Sequence, residues 1–241
     1  MAQNNTKIHK KLQDTDFIRY FFIFVVVLSK SKTILKNQTM KKLSFLILMT
    51  MMMNVFLSAQ DIQLPAPDKT GGKPLMQALS ERKTTREFRQ DKDLPLTTLS
   101  NLLWAANGFN RPDKRTAPTA NNRQELELYI AVRDGLYFYD AKNHKLKLVK
   151  KGDYRKNTGM QDFVGDASLN VIFVSDLSKA TSRHFALIDC GFVSQNIYLF
   201  CASEGLNTVV RGSFDKDELG KLLNLPSNQE VLLTQSVGYP K

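Results

Sequence analysis

The stretch RHFALIDCGFVSQNIYLFCASEG, Arg183 to Gly205, constrains the fold more than any other part of the chain. At helical spacing its apolar residues occupy almost every side, so this helix is expected to be surrounded by protein. Gly191 inside it suggests a close backbone approach, and Gly205 is placed to cap its end. Such a helix needs a core built around it. Just upstream, LNVIFVSD (Leu169–Asp176) is a nearly all-apolar run, expected as a central strand buried on both faces.

The remaining periodicities fill in the layers. A helix is expected from Leu75 into Arg82. A second lies in LPLTTLSNLLWAANGF, with Leu96, Leu99, Leu102, Leu103 and Ala106 at helical spacing and Gly108 as its stop. After a polar loop, NRPDKRTAPTANNRQ, the runs LELYIAV and GLYFYDAKNHKLKLV read as strands with turns at 133–135 and 140–144. LNTVVRGSF reads as extended, DKDELGKLLNL as an amphipathic helix opening at Asp215, and EVLLTQSVGYP as a closing strand. There is no internal repeat and no regular βαβ rhythm, so a single α+β domain is expected.

The formal charge of +11 is unevenly spread. Residues 1–60 carry nine Lys/Arg against Asp14 and Asp16, which leaves only +4 for the rest, too little to require nucleic acid as a partner. From Met40 the chain reads MKKLSFLILMTMMMNVFLSAQ: two lysines, a short apolar middle, then Ser58-Ala59-Gln60. This is the layout of a secretory signal peptide over 40–59, which implies export to a periplasmic-type compartment without a stable membrane anchor. Residues 1–39 are expected to be an over-extended N-terminus, 60–73 a linker rich in Pro and Gly, and 74–241 the domain. Only Cys190 and Cys201 occur, eleven apart on one helix and so about 16 Å from each other, too far for a disulfide. Buried, inert thiols are expected.

Few catalytic constellations are available. His9, His144 and His184 are scattered, and no HExxH or paired-cysteine pattern occurs, which excludes the usual zinc and di-metal sites. GxSxG and GxGxxG are both absent. His184 is expected to open the long helix rather than transfer protons. What remains is SERKTTREF, Ser80–Phe88, with Arg82, Lys83 and Arg86 interleaved with hydroxyls. Two readings fit. It is the solvated end of a helix, or it holds an oxyanion through Arg82, Thr84 and backbone N–H groups, with Arg86 on the same side.

ERKTTREF resembles the opening motif of the FMN-dependent nitroreductase family, Arg-(Arg/His/Lys)-(Ser/Thr)-x-(Arg/Lys)-x-Phe. APTANNRQELELYIAV is similar to the family's Pro-Ser-x-x-Asn-x-Gln loop leading into a strand. DCGFVSQNIYLFCASEGLNTVVRGSFD resembles its Gly-x-x-x-Gln-Asn-x-x-Leu-x-Ala-x-x-x-Gly-Leu helix, and SVGYP its closing strand. The four motifs stand in the family's order from about Pro74 to the C-terminus.

The resemblance implies a nitroreductase-like α+β fold: a central, mostly antiparallel sheet flanked by helices, with the long helix buried, in a homodimer. It implies FMN as cofactor. Arg82 and Thr84 would bind its phosphate, Lys83 would line the same segment, and Arg86 would approach the pyrimidine edge. Pro118, Thr119, Ala120 and Asn122 would reach across from the partner subunit. Arg211, Gly212 and Ser213 would present backbone to flavin N5. No catalytic side chain and no metal are implied, because the flavin carries the chemistry, a ping-pong hydride transfer between an electron donor such as NAD(P)H and a small organic substrate. The chain stops at Lys241, where many members continue into a basic tail, so Arg115 or Lys241 is expected to assist at the phosphate. RTAPTANN and GLYFYDAKNHKLKLV are also similar to the azoline-oxidising dehydrogenases of peptide natural-product pathways. That subgroup's activity stays open as an alternative, as does a non-catalytic binding protein on the same fold.

Overall fold

The computed structural model describes residues 60–241. The over-extended N-terminus and signal peptide expected over residues 1–59 lie outside the described residues. In chain order the elements are β1 (Ile62–Gln63), α1 (Leu75–Glu81), α2 (Leu96–Asn107), a small hairpin of β2 (Phe109–Arg111) and β3 (Lys114–Arg115), β4 (Leu126–Ala131), β5 (Gly135–Asp140), β6 (Lys145–Lys151), β7 (Leu169–Asp176), α3 (Arg183–Glu204), β8 (Asn207–Arg211), α4 (Lys216–Leu223) and β9 (Gln229–Gly238). Seven strands make one antiparallel sheet in the order β1-β6-β5-β4-β7-β9-β8. This is the expected α+β arrangement.

β7 is an interior strand between β4 and β9, and all eight of its residues are buried. Alternate side chains point to opposite faces. Val171 and Phe173 enter the larger core with α2 and α3, while Ile172 and Val174 meet Leu219 and Leu223 of α4. Two cores on one strand leave no polar face, which is why its sequence lacks alternation.

α3 starts at Ser182, whose Oγ accepts the Phe185 N–H, and ends at Gly205 in the left-handed region (φ 67°) with its N–H on the Cys201 carbonyl. It buries Ala186, Cys190, Val193, Ile197 and Cys201 against the sheet and α2. Both thiols are free and buried, as expected, and burial pushes their pKa values up, keeping them inert. The opposite side departs from expectation. Phe185, Ile188 and Phe192 stay 42%, 41% and 44% exposed, and Leu75, Met76 and Leu79 of the neighbouring α1 are exposed too. Gly191 is exposed as well, with nothing within 4 Å of an added Cβ. The all-round apolar pattern is therefore half satisfied within one chain, and the close approach expected at Gly191 is not made there.

Residues 60–73 are extended but bound to the domain. Ile62 pairs with Leu146, Leu64 enters the core, and the Pro65 carbonyl accepts a hydrogen bond from Ser100 Oγ at 2.6 Å. Lys73 N–H donates to Ser203 Oγ at 2.7 Å. Because Ser100 gives its proton to Pro65, it accepts from His144 Nε2 (2.7 Å), and His144 Nδ1 accepts from Tyr139 Oη (3.0 Å). Burial holds the His144 pKa down and suits this neutral tautomer. Ser100 is fully buried, so this run fixes the fold and offers no nucleophile.

Candidate functional site

The basic segment begins where α1 stops. Arg82 N–H still donates to the Ala78 carbonyl (2.9 Å), after which the backbone turns extended. β8 is an edge strand, paired only with β9, so its outward amides need other partners. The Thr208 carbonyl accepts the Thr85 N–H at 3.1 Å, and the Val210 N–H goes to Tyr198 Oη at 3.1 Å. Asn207 Nδ2 holds the Glu87 carbonyl at 2.6 Å, and Phe88 is buried with Ala167 and Val209. The segment is thus fastened along the sheet edge. A merely solvated helix end would not be.

This fastening presents a row of cations. Arg82 is half-buried, with its guanidinium 5.5 Å from the Tyr198 ring centre; Lys83, Thr84 and Arg86 are exposed. Among the described residues no carboxylate forms an ion pair with Arg82, Lys83 or Arg86. Three positive charges within five residues, with a hydroxyl between them, make a ready oxyanion site. Lys83 also lines a cavity of about 380 Å³ with Lys73, Glu81, Tyr198, Asn207 and Pro240. Lys241, next in the chain after Pro240, is exposed.

β8 delivers the second expected group. Gly212 and Ser213 follow it, both exposed. Arg211 is different, since its side chain is buried and donates to the Thr158 carbonyl and Asn170 Oδ1, both at 3.0 Å. With no carboxylate to offset burial, its pKa is pushed down to about 10. A side chain at Gly159 would collide with Arg211 Nη1. Only the backbone of Arg211 can face the site, and its guanidinium props the loop beneath.

The third group sits elsewhere. Ala120 N–H donates to Asp189 Oδ2 at 2.8 Å, which pins Pro118, Thr119, Ala120 and Asn122 to the N-terminal half of α3. Nine residues separate Asp189 from Tyr198, about 13 Å of helix, so one chain does not bring this loop to Arg82. The loop is stiff. Asn121, Asn122 and Gln124 all have positive φ (53°, 54° and 51°), and Thr119 Oγ1 accepts the Gln124 N–H at 3.0 Å. Arg115, expected at the phosphate, is instead spent here on the Asn107 carbonyl (2.9 Å) and Gln124 Oε1 (3.1 Å).

Three residues escaped the sequence reading: Glu125 and Asp189 behind the loop, and Tyr198 beside the Arg82 segment. Glu125 is 1% exposed and neither carboxylate oxygen has a donor. Burial, reinforced by neighbouring Asp189, pushes its pKa up to about 7. Tyr198 passed as one more apolar contact of α3, and Asp189 carries no spacing signal. His184 is exposed in the first turn of α3, edge-on to Phe185, in keeping with a helix-opening residue.

The family model of the nitroreductases matches residues 79–239, spanning the basic segment, the loop, α3 and β8. The chain belongs to the nitroreductase family. Among its relatives, a nitroreductase-like protein of Methanocaldococcus jannaschii is 29% identical over 197 residues, covering 74% of this chain and 96% of the relative. A nitroreductase-like crystal structure from Ralstonia eutropha superposes with a TM-score of 0.72 at 41% identity, over 77% of this chain and 91% of that one. An FMN-dependent nitroreductase of Clostridium difficile shares the fold, with a TM-score of 0.51 at 18% identity over 69% of this chain and 87% of its own. Nitroreductase membership accounts for the antiparallel sheet with its flanking helices and long α3.

Proposed function

We propose that the protein is an FMN-dependent oxidoreductase of nitroreductase type that works as a homodimer. One observation carries this reading: an unneutralised Arg82–Arg86 segment at one end of α3, and a stiff loop pinned at the other end. A twofold axis crossing α3 near Phe192 would lay Phe185, Ile188 and Phe192 of each copy against the partner. Each Pro118–Asn122 loop would then reach the other copy's Arg82 segment. The same packing would use the open space at Gly191, where a second helix can approach. Each large apolar side chain fully buried there would contribute about 1.5–3 kcal/mol.

The residues fit the cofactor. A phosphate dianion needs cations without partners and a hydroxyl to donate, and Arg82, Lys83 and Thr84 offer both. Bound FMN would supply two-electron hydride transfer at its N5. Arg86 would place a fixed cation at the pyrimidine edge, where negative charge accumulates on reduction. The backbone of Arg211, Gly212 and Ser213 would line the reacting edge, and Pro118, Thr119, Ala120 and Asn122 of the partner subunit would keep water out. No proton-transferring side chain is required. The substrate would be a small organic molecule, with NAD(P)H or another reductant as donor. The expected signal peptide would place the enzyme outside the cytoplasm, where free NAD(P)H is scarce.

The test is a spectrum of the purified protein with and without added FMN, then with anaerobic NADPH. Bands near about 375 and 450 nm that survive desalting, and a 450 nm band that bleaches on reduction, are the expected result. A protein that neither retains FMN nor perturbs its spectrum would overturn the reading.

A further inference from the structure

We propose that Tyr198 is a positioning residue for the anion-binding segment: it turns the Thr84 hydroxyl outward as a donor and carries the Arg82 guanidinium, so that both meet the phosphate of FMN. This rests on the FMN reading above. It concerns a residue that touches no ligand atom and acts through two that would.

The direction of the hydrogen bonds carries the argument. Tyr198 is 7% exposed, so its hydroxyl proton needs a protein acceptor. Tyr198 Oη accepts the Val210 N–H at 3.1 Å, and its other neighbour is Thr84 Oγ1, also at 3.1 Å. If Thr84 donated, the phenolic proton would have no protein acceptor. Tyr198 therefore donates, Thr84 accepts, and the Thr84 proton is left to point away from the helix. Thr84 is exposed, so that proton faces the side open to a ligand. An amide of edge strand β8 thus decides the rotor state of a hydroxyl on the segment beside it.

The ring performs a second task. Arg82 lies 5.5 Å from its centre, and among the described residues no carboxylate pairs with the guanidinium. A cation held over an aromatic face keeps its N–H fork available for oxygen ligands, whereas a carboxylate would occupy it. A phenylalanine at 198 would keep the ring and lose the relay. A leucine would lose both.

A plain packing role would treat all flavins alike, and the proposed role would not. Riboflavin carries the same ring system as FMN without the phosphate. In fluorescence titrations of the apoprotein, wild type should bind FMN at least tenfold more tightly than riboflavin. Tyr198→Phe should weaken FMN several-fold, because the Thr84 hydroxyl stays but its proton is no longer turned outward, while riboflavin changes less than twofold. Thr84→Val should reproduce that loss and add little to it in the double variant, whereas Thr84→Ser should restore near-normal FMN binding. Circular dichroism of each variant reports its folding, and Thr84→Val tests the relay without touching the core. Equal weakening of both flavins by Tyr198→Phe, or additive losses in the double variant, would overturn the assignment of Tyr198 while FMN binding by wild type stands. Wild type that binds neither flavin would overturn the FMN reading, and this one with it.

Discussion

Glu125→Gln isolates the buried carboxyl pair behind the loop. Glu125 is 1% exposed, has no donor on either oxygen and sits beside Asp189; the Cys190 thiol and the unpartnered Asn107 Oδ1 are the other polar groups at this core site. In the unfolded chain its carboxyl gives up its proton near 4.5, and in the fold it holds it to about 7. The folded state therefore binds more protons across that window, so stability must fall as pH rises from about 4.5 to 7 and level off above. At about 1.4 kcal/mol per tenfold the whole window is worth on the order of 3 kcal/mol, most of it between pH 5 and pH 8. Glutamine keeps the shape, donates to Asp189 and does not titrate. In urea unfolding at fixed protein concentration, the stability of Glu125→Gln relative to wild type should rise by about 2–3 kcal/mol between pH 5 and 8, a relative midpoint shift of about 1 M. A difference independent of pH would show that Glu125 is ionised throughout and that the reasoning about the pair is wrong.

Arg82→Ala should weaken FMN binding by roughly 1.5–3 kcal/mol in equilibrium titration, the range for hydrogen bonds to charged groups; unchanged occupancy would put the phosphate elsewhere. Arg86→Ala should retain most FMN affinity and lower the flavin reduction potential, read by xanthine oxidase titration, because the reduced form loses a fixed cation. Gly159→Ala should displace the Arg211 guanidinium from Thr158 and Asn170, costing about 2–4 kcal/mol in urea unfolding. Retained stability there would mean that the loop carrying Gly159 yields freely.

Most of the architecture was legible because it rests on local rules. Ser182, Gly205 and Asp215 cap the helices where their chemistry dictates, and β7 reads as a doubly buried strand because both cores share it. The segment 60–73 was read only as Pro- and Gly-rich, since a two-residue strand such as Ile62–Gln63 and lone anchors such as Pro65 leave no periodic signal. β2 and β3, hidden in a polar loop, escaped for the same reason. At the site, Arg82, Thr84 and Arg86 were visible as a dense cationic run. Tyr198, Asp189 and Glu125 were not, because the roles of the first two arise from contacts 114 and 69 positions away and that of Glu125 from burial itself. The contacts of Arg115 within its own chain were illegible for a related reason: charge alone cannot say which carbonyl a guanidinium will meet. The exposed stripe on α3 shows the limit of reading an all-round apolar helix, because periodicity cannot tell a side covered by the same chain from one left exposed by it.

Sedimentation of the flavin-loaded protein, followed at about 450 nm, tests the central claim most directly, because absorbance there reports only flavin. The coloured boundary should move as a dimer and stay coloured after free FMN is removed. A colourless boundary moving as a monomer, with all the absorbance left behind as free FMN, would contradict the proposal that Arg82–Arg86 and the partner's loop close one cofactor site between them.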